Sequence, residues 1–208
     1  MTKIACLGDS IRMQYAPRVK EKLGENFEMF TPAENCRFAK YTLRGMWDWK
    51  EGMKGSRIVH WNNGLWDICD IFGDGIFTSV DEYVTNMLRI ADILLSRHEI
   101  VIFATTTPVR KENPHNKTVW IEEYNAALVP KLIEKGVIIN DLFSLVAADI
   151  PRYVSDDLIH LSEDGIALCT EAVTNAILEA EKMLSSDKKN DTPTDTTDST
   201  GAPVAFGG

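Results

Sequence analysis

Two short stretches hold residues that could do chemistry together. The first, "KIACLGDSIRM" (residues 3–13), sets Ser10 directly behind an apolar run that ends at Gly8. A serine at a strand-to-helix turn stands above the sheet, beside helix N–H groups that point at any developing anion. It is a nucleophile only with a base next to it; on position alone it is an ordinary helix cap. The second stretch, "DDLIHLSEDG" (residues 156–165), sets Asp157 three residues before His160, ahead of the last helix. At that spacing a carboxylate can bond one imidazole nitrogen and leave the other facing a nucleophile. It fixes the tautomer and stabilises the imidazolium that forms. Of the four histidines, His60 falls within a strand, His98 follows a helix and His115 lies in a long loop. Only His160 has a carboxylate three residues before it at the head of a helix.

The elements that must position these residues alternate strand and helix. "KIACLG", "NFEMFTP", "RIVHWNNG", "EIVIFATTTPV" and "VIINDLF" read as five buried strands, short, apolar and stopped by Gly, Pro or polar residues. Between them, "APRVKEKLGE", "SVDEYVTNMLRIADILLSR" and "NKTVWIEEYNAALVPKLIEKG" read as helices, the second capped by Ser79 and the third closed by Gly136. The last helix is "SEDGIALCTEAVTNAILEAEKML", with Ser162 as its cap. This pattern predicts an α/β fold with a five-stranded parallel sheet covered on both faces. In such sheets ligands bind beyond the carboxyl ends of the strands. That rule directs attention to Ser10, the residues after Pro32, Asn62, Asn63 and the loop after Pro108. Residues 1–185 read as one domain, and the Thr/Asp-rich stretch 186–208 reads as a disordered tail.

The totals exclude several classes. A net charge of −9 over 208 residues argues against nucleic-acid binding, which relies on clustered Lys and Arg. The N-terminus does not read as a signal peptide, and no apolar run reaches the ~18 residues of a membrane span. Cys6, Cys36, Cys69 and Cys169 are scattered without a CxxC pair, so neither a zinc site nor any other metal is expected; they read as reduced thiols in a cytoplasmic protein. "GDSIR" has no glycine-rich phosphate loop, which leaves little for a nucleotide binder.

"GDSI" at Gly8 with "DLIH" ending at His160 resembles the GDSL, or SGNH, hydrolase family. The resemblance runs over nearly all of residues 3–185. It implies a three-layer α/β/α flavodoxin-like fold and an esterase triad that needs no cofactor. Ser10 would be the nucleophile, His160 the general base and Asp157 the residue orienting it, with Asp156 as the fallback. The family's oxyanion hole takes the serine N–H, a backbone N–H after strand two and an asparagine side chain after strand three. Carried over, these are Ser10, Ala39 and Asn62. Gly45 is the runner-up to Ala39, while Asn63 and, less readily, Trp66 are the alternatives to Asn62. The family's glycine is missing from the second block and its GxND block reads "HWNNGLWD". Asn35 and Arg37 would line the second loop, with Arg37 and Trp66 as substrate contacts. Asp67 reads as structural, and the tryptophans as core or as a stacking surface.

The resemblance thus implies hydrolysis of small acyl esters, acetyl groups on carbohydrates first. The partner would be a small-molecule or oligosaccharide ester, with neither nucleic acid nor membrane; the oligomeric state is not legible. A lysophospholipase or short-chain lipid esterase is the alternative within the class. A non-catalytic binding module on the same fold is the alternative outside it.

Overall fold

The computed structural model describes residues 1–190, with side chains through Ser186. Five strands, β1 (Thr2–Leu7), β2 (Phe27–Phe30), β3 (Ile58–Trp61), β4 (Ile100–Ala104) and β5 (Ile138–Asn140), pair in parallel in the order β2-β1-β3-β4-β5. Every residue of β3 is buried, as expected of a sheet covered on both faces. The helices are α1 (Ser10–Leu23), α2 (Ala39–Asp48), α3 (Lys50–Met53), α4 (Val80–Leu95), α5 (Thr118–Glu134), α6 (Leu142–Ala147), α7 (Ile150–Tyr153) and α8 (Glu163–Asn190). α1 packs with α8, while α4 packs with α2 and α5. The three-layer α/β/α architecture is therefore the one expected, and its strand order is flavodoxin-like.

The sequence explains most boundaries. α4 buries Tyr83, Met87, Ile90, Ala91 and Leu94, a helical stripe, and Ser79 caps it by accepting from Glu82 N. α5 ends where Gly136 takes a φ of 86°. α1 starts at Ser10, at the strand-to-helix turn, and so extends upstream of the "APRVKEKLGE" stretch read as helix. Asp9 is its cap, its carboxylate accepting from Ile11 N at 3.0 Å. Pro17 sits inside the helix, where it removes one backbone N–H. The buried face Ile11, Tyr15, Val19 and Leu23 outweighs that loss. α8 continues to Asn190, into the stretch read as tail; residues 191–208 lie outside the described residues. Among the described residues no helix is long and apolar enough to cross a membrane.

One buried polar group sits at the centre. His60 on β3 is 1 % exposed, with Asn140 Nδ2 3.2 Å from its Nε2. Burial pushes it down to about 3, so it is neutral at physiological pH.

Candidate active site

Ser10 is the first residue of α1, immediately beyond the carboxyl end of β1. Because Asp9 does the capping, the Ser10 hydroxyl is free. Its Oγ lies 2.9 Å from His160 Nε2. The other ring nitrogen, Nδ1, lies 2.7 Å from Asp157 Oδ2. The loop from α7 to α8 builds this relay. Val154 and Leu161 form an antiparallel bridge, and Ser155 N donates to His160 O at 2.7 Å. Between them Leu158 adopts a φ of 75°, unusual outside glycine. That turn folds the Asp157 carboxylate back beneath its own loop. There Oδ1 accepts from His160 N at 2.9 Å, Ile159 N at 3.1 Å and Ser155 Oγ at 2.7 Å. Burial alone would raise the Asp157 carboxyl, but these bonds and the imidazole outweigh it and hold it well below the usual carboxylate range. Asp157 is thus a fixed anion behind His160. Asp156, the fallback, is fully exposed and faces Arg110 at 3.2 Å instead.

The expected oxyanion donors divide three ways. Ser10 N–H belongs to the first turn of α1, where N–H groups have no intrahelical acceptor. Asn62, at the end of β3, is buried and donates from Nδ2 to Asp9 Oδ1 at 2.8 Å. One amide hydrogen is thereby used, and the second has no acceptor among the described residues. Asn63 has none to spare: its Nδ2 donates to Arg37 O at 2.8 Å and to Thr42 Oγ1 at 2.9 Å. Ala39 requires correction. Its N–H is buried and donates to Asp67 Oδ2 at 2.9 Å, so it is not available to a substrate. Asp67 acts as the missing cap of α2, whose Phe38 offers no side-chain acceptor. Burial pushes the Asp67 carboxyl up to about 6. Gly45, the runner-up, lies within α2. A Cβ there would meet Trp49 Cη2 at 2.2 Å, so its role is to admit that ring.

Two features stitch the Ser10 turn to its neighbours. Gly8 takes a φ of 153°, and a Cβ on it would fall 2.0 Å from Asn62 Oδ1. Only glycine lets Asn62 approach so closely. Arg12, 3 % exposed, donates to Gly8 O at 3.2 Å, Pro32 O at 3.1 Å and Glu34 O at 2.7 Å. Cys36 N also donates to Gly8 O, at 3.0 Å. Arg12 has no ion-pair partner among the described residues; it is spent tying the Ser10 turn to the loop after β2. Sequence reasoning missed this role. The only signal was an arginine on the inward face of an otherwise apolar helix stripe.

Ser10 and His160 open onto a cleft of about 610 Å³. Asn35 and Trp66 line it, as expected of the loops that carry them. Arg37 stands outside the lining, its guanidinium 5.8 Å from the Trp66 ring and 5.1 Å from that of Tyr41. It braces Trp66 from behind rather than facing the cleft. Trp61 is fully buried against Phe103, with ring centroids 4.9 Å apart, and is core. The walls supplied by Phe38, Leu65, Ile71, Phe77 and Ile159 were not foreseen. Among the described residues no group of His, Cys, Asp and Glu side chains is arranged to hold a metal ion.

Ser10, His160 and Asp157 thus stand in series at the carboxyl edge of a flavodoxin-like sheet. Solved structures agree on the fold. A lipase/acylhydrolase from Enterococcus faecalis superposes with a TM-score of 0.70 at 16% identity, covering 85% of this chain and 95% of that one. The acetyl xylan esterase AlAXEase gives 0.69 at 16%, covering 84% and 99%. An acetylxylan esterase from Geobacillus stearothermophilus gives 0.67 at 14%, covering 84% and 93%. By sequence, no family model and no curated protein matches the chain.

Proposed function

We propose that the protein is a serine esterase that hydrolyses small acyl esters through an acyl-enzyme. The observation that carries this reading is the continuous relay from Ser10 Oγ through both His160 nitrogens to Asp157. Ser10 Oγ attacks the ester carbonyl as its proton passes to His160 Nε2, and Asp157 stabilises the imidazolium. The tetrahedral oxyanion is met by Ser10 N–H and the second Asn62 amide hydrogen. His160 then protonates the departing alkoxide, and a water activated by the same nitrogen releases the acid. No step draws on a cofactor.

Two readings of the substrate have support. The acetyl xylan esterases among the structural neighbours favour an acetyl group on a carbohydrate. The apolar cleft favours a short-chain lipid ester. All four cysteines are unpaired and buried, which suits the reducing cytoplasm. The test is p-nitrophenyl acetate turnover by the wild type and Ser10→Ala, with acetate release from a panel of acetylated sugars alongside. The proposal expects Ser10→Ala to lose at least about a thousandfold in kcat. Equal rates would remove the esterase reading and leave a binding module.

A further inference from the structure

The lining of the cleft carries more information than its location. Phe38, Leu65, Trp66, Ile71, Phe77 and Ile159 form its walls, and no Asp, Glu, Lys or Arg side chain lines it. Three polar side chains besides Ser10 and His160 reach it, and each spends one of its polar ends on the protein's own loops. Asn116 donates both Nδ2 hydrogens, to Leu65 O and Ile68 O at 2.9 Å each. Asn35 Oδ1 accepts from Arg37 N at 2.8 Å. His115 Nδ1 lies 3.2 Å from Asp70 O. A sugar in this cleft would surrender water at its hydroxyls against mostly apolar walls, which is costly.

The apolar surface also continues outward. Ile71, Phe72 and Phe77, on the loop between β3 and α4, are 50%, 76% and 45% exposed. Phe77 meets Phe38 and Phe72 edge-on, with centroids 5.9 Å and 6.3 Å apart. An isolated exposed aromatic needs no explanation, but a contiguous run leading from Ser10 to the surface does. Size points the same way. The cleft of about 610 Å³ has room for on the order of twenty waters, and an acetyl group would displace only a few of them.

We infer that this cleft seats the acyl chain of the substrate, and that the chain is an aliphatic one longer than acetyl. This inference rests on the esterase reading and specifies the acid half of its substrate. The carbonyl carbon sits at Ser10, the chain runs along Trp66 and Phe77, and its far end lies against Ile71. The alcohol half leaves on the open side.

The test is the chain-length profile of kcat/KM for p-nitrophenyl acetate, butyrate, hexanoate and octanoate. Wild type, Ser10→Ala, Phe77→Ser and the exposed, fold-neutral Ile71→Ser are compared. Each fully buried methylene is worth about fourfold. Partial burial therefore predicts a rise of about tenfold or more from acetate to hexanoate in the wild type. Both cleft variants should lower the hexanoate-to-acetate ratio by about threefold or more, a ratio that does not depend on how much variant is folded. Ser10-dependent turnover that is flat or falls beyond acetate overturns the chain assignment and leaves the esterase standing. A rise that both variants retain overturns the cleft as its seat. The absence of Ser10-dependent turnover with any ester removes the esterase reading and this inference together.

Discussion

Replacing Asn62 by alanine separates the two adjacent asparagines, whose chemistry is otherwise identical. Asn62 Nδ2 gives one hydrogen to Asp9 and has one left over; both Asn63 hydrogens are taken by Arg37 O and Thr42 Oγ1. If the spare Asn62 hydrogen meets the oxyanion, Asn62→Ala should cost about 10²–10³ in kcat, with KM changed no more than a few-fold. It also strips Asp9 of one of its hydrogen bonds. Asp9 is fully buried, its Oδ2 already lacks a partner, and burial already raises its carboxyl. Losing the amide should cost about 1–3 kcal/mol of stability, or roughly 3–10 °C in Tm for a domain of this size. Asn63→Ala loses two bonds that hold the α2 loop, so its Tm should fall by a similar amount. Its kcat should change by less than about tenfold, because no donor to the substrate is lost. The assay is steady-state p-nitrophenyl ester hydrolysis, with a thermal melt of each variant by circular dichroism. A hundredfold loss of kcat in Asn63→Ala beside a loss under tenfold in Asn62→Ala would refute the reasoning.

Three further outcomes follow from the same geometry. Arg12→Met should lower kcat by about tenfold or more while leaving KM within about twofold, because it frees the Ser10 turn from the loop after β2; a kcat unchanged in folded enzyme would remove the positioning role. Gly8→Ala should either drive Asn62 aside or fail to fold. A variant that keeps both Tm and kcat would show that the 2.0 Å approach is not needed. His60→Gln tests the pH dependence of stability. His60 is held at about 3 in the fold against ~6.5 unfolded, so only the unfolded chain takes up its proton between those values. Wild-type stability is therefore lost as pH falls below ~6.5, by about 1.4 kcal/mol per pH unit from this group. Asp67, raised to about 6, acts with the opposite sign between ~6 and ~3.8. The wild-type-minus-variant difference isolates His60. In urea denaturation at pH 7, 6 and 5 it should shrink steadily; a pH-independent difference would contradict the account.

The five strands and the Ser10–His160–Asp157 set were legible because each rests on a local signal. Short apolar runs stopped by Gly or Pro mark buried strands, and a carboxylate three residues before a histidine marks an orienting pair. The details that escaped depend on contacts between distant segments. The strand's end put Asn62 ahead of Asn63 in the sequence; what separates them in the fold is that Thr42 Oγ1 and Arg37 O take both hydrogens of Asn63, and Asp9 takes one of Asn62. Ala39 was a reasonable donor for a helix start without a glycine. It was displaced because Asp67, 28 residues on, supplies the cap that Phe38 cannot. The stretch read as helix from Ala16 belongs to a longer α1, because Asp9 caps the turn at Ser10. The apolar cleft was invisible because its walls come from the loops after β2 and β3, the long loop after β4 and the turn before His160. It exists only once the sheet brings those loops to one edge.

The central claim is that Ser10 is a nucleophile activated by His160, and covalent capture tests it most directly. A fluorophosphonate reacts with a serine only where a base and an oxyanion site are assembled. With intact-mass and peptide mapping, the account predicts a single adduct on Ser10 in the wild type. It predicts none in Ser10→Ala, and labelling slowed by at least about a hundredfold in His160→Ala. No adduct on folded wild-type protein, or one that persists in Ser10→Ala, would contradict it.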